Sequence, residues 1–555
     1  MADYPGGKKT CCFVLSDRYK TIYTTLRHPF RSIAGLSSNA FTQVLIFILI
    51  LSVGIFARTW QFNQLPPGLN QDEASIGIDA YNIVHFGIDR NGFSYPVNFV
   101  SWGDGQNALY GYILMPFIAV GGLTPFVVRL PMLISGILTL PLVYFIAKRT
   151  FNNVYALIAM FLLAISPWHI VLSRWGLESN ILPFIFALGY ICLMKSSLTN
   201  KWFILACLFF ALCLYAYGTT YAAVPLFMLI MIPVLLGFRK VSRKNLIIGI
   251  ISFALVGLPI ALLILINTMH WNTIHIGIFS IPRYPIQARY ETLTPISNTE
   301  SIRQFLRDLK HNLHILLSLL LNQDDGLIAN TVSPFGYFYR YTFPLAIIGG
   351  IMALYWRKSN NRMGRLLLLG WLAASVLIGL LIQININRIN LIFIPLFLCM
   401  AFPLEWLWKH LKALFILSII TLLVAFSFFT YTYHGAEYRH QADGTFFTGL
   451  LPALDFARQE GNNPICVTDK VNMPYIFALF SEKMDPKLYL NNIRYESNSR
   501  QVISLGRYTF GENNCSSDPS ITYILSNEKP PDNGIQYIVY NFDLFHVYTP
   551  EGMAK

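Results

Sequence analysis

The sequence predicts a mainly α-helical polytopic membrane protein: a helix bundle of about eleven spans with interfacial helices and a small C-terminal α/β domain. Three observations carry this. Hydrophobic residues make up 54% of the 555-residue chain and charged residues 12%, about half the charged share of a soluble domain. Apolar runs long enough to approach or span a bilayer recur from residue 42 to residue 430. After residue 431 the composition turns polar, with Asn, Asp, Gly and Pro between short apolar runs.

The first 41 residues form a polar segment carrying Lys8, Lys9, Arg18, Lys20, Arg27 and Arg31. A span that begins so far in, behind several charges, reads as an anchor rather than a cleaved signal peptide. The spans are 42–57, 126–147, 154–167, 181–197, 202–217, 219–237, 246–266, 341–356, 364–382, 389–405 and 411–430. Between them lie the basic clusters Lys148-Arg149, Lys195 with Lys201, Arg239-Lys240 with Arg243-Lys244, Arg357-Lys358 with Arg362 and Arg365, and Lys409 with Lys412. Eleven alternating spans place all of these on the cytoplasmic side, the positive-inside pattern. The net charge of +13 is therefore a membrane-topology signal, and nucleic acid is not an expected partner. This solution leaves 106–122 as an interfacial or re-entrant helix. It puts the loop 58–125, the turn 173–180, the loop 267–340 and the tail on the extracytoplasmic side. Domain boundaries follow: 1–41 cytoplasmic, 42–431 transmembrane, 432–555 an extracytoplasmic α/β domain. In that tail 464–468, 521–525 and 537–540 read as strands, and 452–459 and 474–481 as helices. Cys466 and Cys515 share the tail, where a disulfide is permitted; the eight cysteines form no metal-binding pattern.

The functional signal sits directly after the first span, in Pro66-Pro67-Gly68-Leu69-Asn70-Gln71-Asp72-Glu73. Residues 72–87 place Ile76, Ala80, Ile83 and Val84 at helical spacing, which predicts an amphipathic helix on the membrane surface. Asn70 with Glu73 three residues on fits a reciprocal cap, and acids in a first turn suit the helix dipole. The pair could do no more than start a helix. Against that, Asp104 opens the next interfacial segment, and Arg129, Arg174 and Arg388 all fall at span ends on the same face. Such an arginine could snorkel to the headgroups. It could also grip a phosphate through two parallel hydrogen bonds while staying charged.

Carboxylates and arginines on one membrane face suit a sugar donor held by a lipid phosphate. A carboxylate takes the proton of an acceptor hydroxyl, the oxygen attacks the anomeric carbon, and the phosphate leaves. A phosphate leaving group needs charge neutralisation more than protonation, so one base suffices, unlike the acid–base pair of a glycoside hydrolase.

These residues resemble, in order along the chain, the C-type-fold membrane glycosyltransferases of the protein O-mannosyltransferase and aminoarabinose-transferase branch. The matches are Asp72-Glu73, the stretch 104–110, Arg129-Leu130-Pro131, Ser166-Pro167-Trp168 with Arg174 and Glu178, Asp324-Asp325-Gly326 with Gly336-Tyr337 and Pro344, and Asn387-Arg388 with Pro395. The resemblance implies a polyprenyl-phosphate sugar donor, Asp72 as catalytic base with Glu73 and Asp104 beside it, and Glu178, Asp324 and Asp325 as substrate-positioning residues. It implies an acceptor on the outer face (protein, lipid or glycan) and a bacterial inner membrane as the location. Gly105-Gln106-Asn107-Ala108 replaces the family's Pro-Pro core after Asp104. Some relatives use a divalent metal; His270, His275, His434 and His440 lie on the outer side without matching those ligand positions. The tail departs from the sugar-binding repeat of eukaryotic mannosyltransferases; by analogy it caps the site and helps choose the acceptor. A transporter or flippase of a lipid-linked saccharide is the alternative, since transporters bind near the bilayer midplane between related halves. The span centres here are nearly free of charge and show no echo between halves. A sensor or receptor would leave the arginines and carboxylates unexplained.

Overall fold

The structure, a computed structural model, describes residues 38–101, 104–196, 201–285, 301–355, 362–461, 463–496, 501–515 and 518–551. The expected cytoplasmic segment up to residue 37 and the basic pair Arg357-Lys358 lie outside the described residues. The chain divides into two units at residue 52. Of the first, residues 38–52 are described, the opening part of α1 (Ser38–Thr59).

The second unit continues with α2 (Gln71–Phe86), the hairpin β1 (Asn98–Ser101) and β2 (Asp104–Asn107), α3 (Leu109–Gly121), α4 (Pro125–Thr150), α5 (Asn153–Ala164), α6 (Pro167–Leu172) and α7 (Glu178–Lys195). Next come α8 (Lys201–Cys213), α9 (Thr220–Gly237), α10 (Arg243–Thr268), the hairpin β3 (Ile274–Ile276) and β4 (Phe279–Ile281), α11 (Ile302–Asn322), α12 (Phe343–Tyr355), α13 (Arg362–Leu381), α14 (Phe393–His410) and α15 (Lys412–Tyr433). Local chemistry sets the starts. Thr124 and Ser166 each accept a backbone N–H of the first turn, ahead of Pro125 and Pro167, because an N-cap oxygen satisfies an orphan donor and proline suits the first helical position.

Among the described residues eight helices are long and apolar enough to cross a membrane: α1, α4, α7, α9, α10, α13, α14 and α15. Three other expected spans correspond to shorter apolar helices, α5, α8 and α12 with its 3-10 lead. Helix α3 has 13 residues, roughly 20 Å at about 1.5 Å per residue, short of the ~30 Å hydrocarbon layer. In the bundle core Phe186, Tyr190, Phe210, Phe227 and Trp371 pack ring against ring.

The segments expected on one face do meet. Arg174 bonds to the loop after α1, and Gly176 N to Glu73. Val97 pairs with Ser280, Tyr438 OH reaches the carbonyl of Ile328, and Asn70 reaches that of Thr445.

The tail contains α16 (Ala436–Asp443), α17 (Leu450–Gln459), β5 (Ile465–Val467), α18 (Pro474–Glu482), α19 (Pro486–Tyr489), β6 (Arg494–Tyr495), β7 (Val502–Leu505), β8 (Tyr508–Phe510), β9 (Thr522–Leu525), β10 (Tyr537–Phe542) and β11 (Phe545–Pro550). Its seven-stranded sheet runs β10-β11-β9-β5-β8-β7-β6. Strand β5 is parallel to both neighbours and every other pair is antiparallel. The three expected strands and two expected helices are all present; β6, β7, β8 and β11 were not anticipated. Cys466 and Cys515 are bridged, their Cα atoms 6.0 Å apart.

Helix α2 corrects one expectation. It is capped as predicted, with Asp72 N donating to Asn70 Oδ1 and Asn70 N to Glu73 Oε2, and it ends on Gly87 at φ 74°. It does not lie amphipathically on a membrane surface: residues from Glu73 to Ile83 are buried on almost every side. The cause is α18, which covers the face expected to be wet. A Cβ on Gly77 would stand 2.9 Å from Val128 and 3.0 Å from Phe480, so only glycine allows α2 to be sandwiched between α4 and α18.

Candidate active site

The N-terminal end of α2 holds the adjacent carboxylates, and the two have different surroundings. Glu73 is fully buried. It accepts from Arg129 Nε at 2.8 Å and Nη2 at 2.7 Å, from Gly176 N at 2.8 Å, and from Asn70 N at 3.2 Å. Arg129 also donates to the carbonyls of Pro66 and Gly68. A buried ion pair survives only when its remaining hydrogen-bonding capacity is met; here it is met by three chain segments that the pair thereby pins together. Asp72, one residue earlier, is half-buried at the open end of the helix.

Arg174, expected as a phosphate ligand like Arg129, is also fully buried. Its guanidinium donates to the carbonyls of Arg58, Trp60 and Leu65 and lies against the rings of Tyr433 and Phe62. Sequence reasoning passed over Arg58. It is fully buried, donates to the carbonyls of Gly54, Leu163 and Ala164, and meets His169 Nδ1 at 2.7 Å. Its position in the last turn of an apolar helix was the available signal.

A second buried pair was also missed. Arg90 Nη1 lies 2.8 Å from Asp79 Oδ2 and 2.6 Å from Ser75 Oγ, while Nη2 donates to Ser101 Oγ and the Val100 carbonyl. Ser75 Oγ donates to Gln106, whose amide donates to Glu178 Oε2 at 3.2 Å. Asp72, Ser75 and Asp79 share one helix face. Ser101 pairs across the hairpin with Asp104, which is half-buried. The network thus joins the face carrying Asp72 to the hairpin carrying Asp104 and to Glu178 on α7. Two charged residues within and just after an otherwise apolar helix, at the spacing of Asp72's own face, were the legible trace. Burial, then the charge of Asp79, pushes the neighbouring Asp89 carboxyl up to about 8. Its Oδ2 has no hydrogen-bond partner among the described residues.

Asp324 and Asp325 fold the loop after α11. Asp324 accepts from Gly326 N and Thr331 Oγ1. Asp325 accepts from Leu327 N, from Asn330 Nδ2 at 2.8 Å and from Ile386 N at 3.3 Å. It therefore fastens the loop that carries Arg388, and burial raises its carboxyl above the ordinary value. Arg388 is half-buried, with Nη1 donating to the Gln383 carbonyl at 2.9 Å. Among the described residues no three His, Cys, Asp or Glu side chains converge as a metal site. His275 meets Ser280, His434 the Thr430 carbonyl, and His440 Asp443.

This helical arrangement with its β-sheet tail has the C-type fold of membrane glycosyltransferases. ArnT from Cupriavidus metallidurans, solved with undecaprenyl phosphate, superposes with a TM-score of 0.54 at 11% identity, covering 94% of this chain and 100% of that one. The apo oligosaccharyltransferase of Archaeoglobus fulgidus aligns at TM-score 0.47 and 15% identity, over 80% of this chain and 64% of that chain, so the present chain spans just under two thirds of its length. Residues 105–275 match the family model of the dolichyl-phosphate-mannose-protein mannosyltransferases. No curated protein matches the sequence.

Proposed function

We propose that the chain transfers a sugar from a polyprenyl-phosphate donor to an acceptor on the extracytoplasmic face by inverting single displacement, with Asp72 as the base. The observation that carries this is the difference in burial within the adjacent pair. Glu73 is committed to Arg129 and two backbone amides, while Asp72 stands half-buried beside it. Asp72 takes the proton of the acceptor hydroxyl, and that oxygen bonds to the anomeric carbon. The bond from that carbon to the phosphate oxygen breaks, and the lipid phosphate leaves with the electron pair. Arg388, half-buried on its loop, neutralises the phosphate. Arg129 and Arg174 lend positive potential from fixed positions. Asp104 and Glu178 shape the acceptor side, and Asp324 and Asp325 hold the Arg388 loop. The fold shared with ArnT and the mannosyltransferase match support a lipid-linked donor. The basic clusters of the sequence support a tail, 432–555, outside the cytoplasm of a bacterial inner membrane, with 42–431 as the transmembrane domain.

The test is transfer by the full chain in nanodiscs supplied with polyprenyl-phosphate sugars. Asp72→Asn keeps size and helix-start chemistry but removes the base. It is expected to fold, bind donor and lose about 10²–10⁴-fold in transfer rate. Near-normal turnover would move the base elsewhere.

A further inference from the structure

The tail contains a cavity of about 490 Å³, within the roughly 300–1,000 Å³ typical of small-molecule sites. We infer that it binds a neutral saccharide unit of the acceptor; its role as an acceptor subsite rests on the transfer reading above, its binding of sugar does not. The cavity opens where β5 and β8 end and α18 begins. Strand β5 has parallel neighbours on both sides, β8 and β9. Chain leaving β5 crosses to β8 on one side and later returns to β9 on the other. Ligands of parallel sheets bind outside the carboxyl ends of strands at such a reversal.

The walls are preformed. Gly511 N donates to the Val467 carbonyl at 2.8 Å, and the disulfide fastens the end of the β8 loop, Cys515, to β5. Thr468 Oγ1 donates to Glu528 Oε1 at 2.7 Å, tying in the loop after β9. Gly511 holds φ 86°, and a Cβ there would meet Asp469 at 3.5 Å and Asn514 at 3.3 Å, so the left-handed conformation sets how closely the two walls approach.

The lining selects the ligand. Its charges are Asp469 and Glu496 against Lys470, which sits 3.7 Å from Asp469. Among the described residues the lining has two carboxylates against one lysine and no arginine, a balance that disfavours phosphate. Asn472, Gln501, Asn513 and Asn514 add amides, each able to donate and accept at once, the chemistry that neighbouring sugar hydroxyls require. Tyr475 lines the cavity and also interacts with Arg90 of the α2 network, so an occupant would sit beside the candidate active site.

The full chain in lipid nanodiscs is mixed with neutral disaccharides (mannobiose, chitobiose, cellobiose) and, separately, with inorganic phosphate, and contact is read by saturation-transfer NMR. At least one disaccharide is expected to bind, unaffected by phosphate. Asp469→Ala with Asn514→Ala should weaken it about tenfold or more. Asn513→Trp, which fills the mouth from an exposed lining position, should do the same, and Asp72→Asn should leave binding intact. No binding of any disaccharide, displacement by phosphate, or binding that survives both cavity variants overturns the inference. Sugar binding without transfer by wild-type protein would remove the transfer reading alone; transfer without cavity binding would remove this one alone.

Discussion

A carboxylate that already accepts bonds from two guanidinium nitrogens and two backbone amides has little lone-pair capacity left for a substrate proton. Glu73 is in that state, so its loss is expected to read out as instability before it reads out as slow chemistry. Glu73→Gln leaves Arg129 buried without its counter-charge. Breaking such a pair costs about 3–5 kcal/mol, so thermal unfolding should fall sharply in Glu73→Gln and much less in Asp72→Asn. The arginines divide the same way. Arg388→Ala should weaken donor binding, at about 1.5–3 kcal/mol for a charge-assisted contact, with Arg388→Lys intermediate because it keeps charge but loses the fork. Arg129→Lys and Arg174→Lys should chiefly destabilise; equal donor affinity in Arg388→Ala and wild type would remove Arg388 from the site. Asp89 adds a pH dependence. Its carboxyl is raised from 3.8 to about 8, by burial first and the Asp79 charge second. Across that interval the folded chain holds the proton more tightly than the unfolded one, so the stabilisation is full below 3.8 and is lost as pH rises through about 8. The melting temperature of wild type should therefore drop between mildly acidic and alkaline pH, and Asp89→Asn should flatten that drop.

The ends of α2 and the start of α18 were legible because their signals are local: Asn70 and Glu73 at the head of α2, Gly87 at its tail, Pro474 opening α18. What covers a helix is not local. The stripe Ile76, Ala80, Ile83 predicted a surface helix, and the part it could not foretell was α18, contributed from some four hundred residues downstream. The Asp79–Arg90 pair was missed for that reason, since two charges near a helix expected to be half-wet need no explanation. The hairpin of β1 and β2 escaped notice because Asp-Gly-Gln-Asn has no strand alternation; it is held by Arg90 and Ser75 instead. Sheet order was unreadable for the same non-local reason, although β11 alternates Phe545, Val547 and Thr549 inward. The packing of α18 on α2 makes a prediction at this scale. Gly77→Leu cannot fit between Val128 and Phe480, so α18 should lift and limited proteolysis should cut the 444–448 link faster, with α4 and α7 unaffected. Equal cutting rates would show that the tail does not depend on this contact.

Across the whole molecule, the segments that the charge pattern assigned to one face are joined by hydrogen bonds: the loop after α1 to the 174–176 turn, the β1–β2 region to β4 and Tyr284, the loop after α11 to that before α14, and the tail to several of them. This association holds whichever side of the membrane the assembly faces. The basic clusters that precede and separate the spans predict the side. An even crossing count would place the N-terminus and the tail together; an odd count separates them. Among the described residues the eight long helices alone are even, and the three short apolar helices α5, α8 and α12 make the number odd if one of them or all three cross. A helix of 12 or 13 residues rises only about 20 Å, so each would need its flanking turns, or a locally thinned bilayer, to complete the passage. A reporter fused after Lys555 that is active only outside the cytoplasm tests this directly, with a second fusion between α8 and α9 as an internal reference. Activity at Lys555 is expected, together with activity at the α8–α9 fusion, because six crossings lie between those points if α12 spans. A silent reporter at Lys555 beside an active one after α8 would mean that one of the later helices does not cross. The tail and its cavity would then face the cytoplasm, and the one-sided active site would no longer stand.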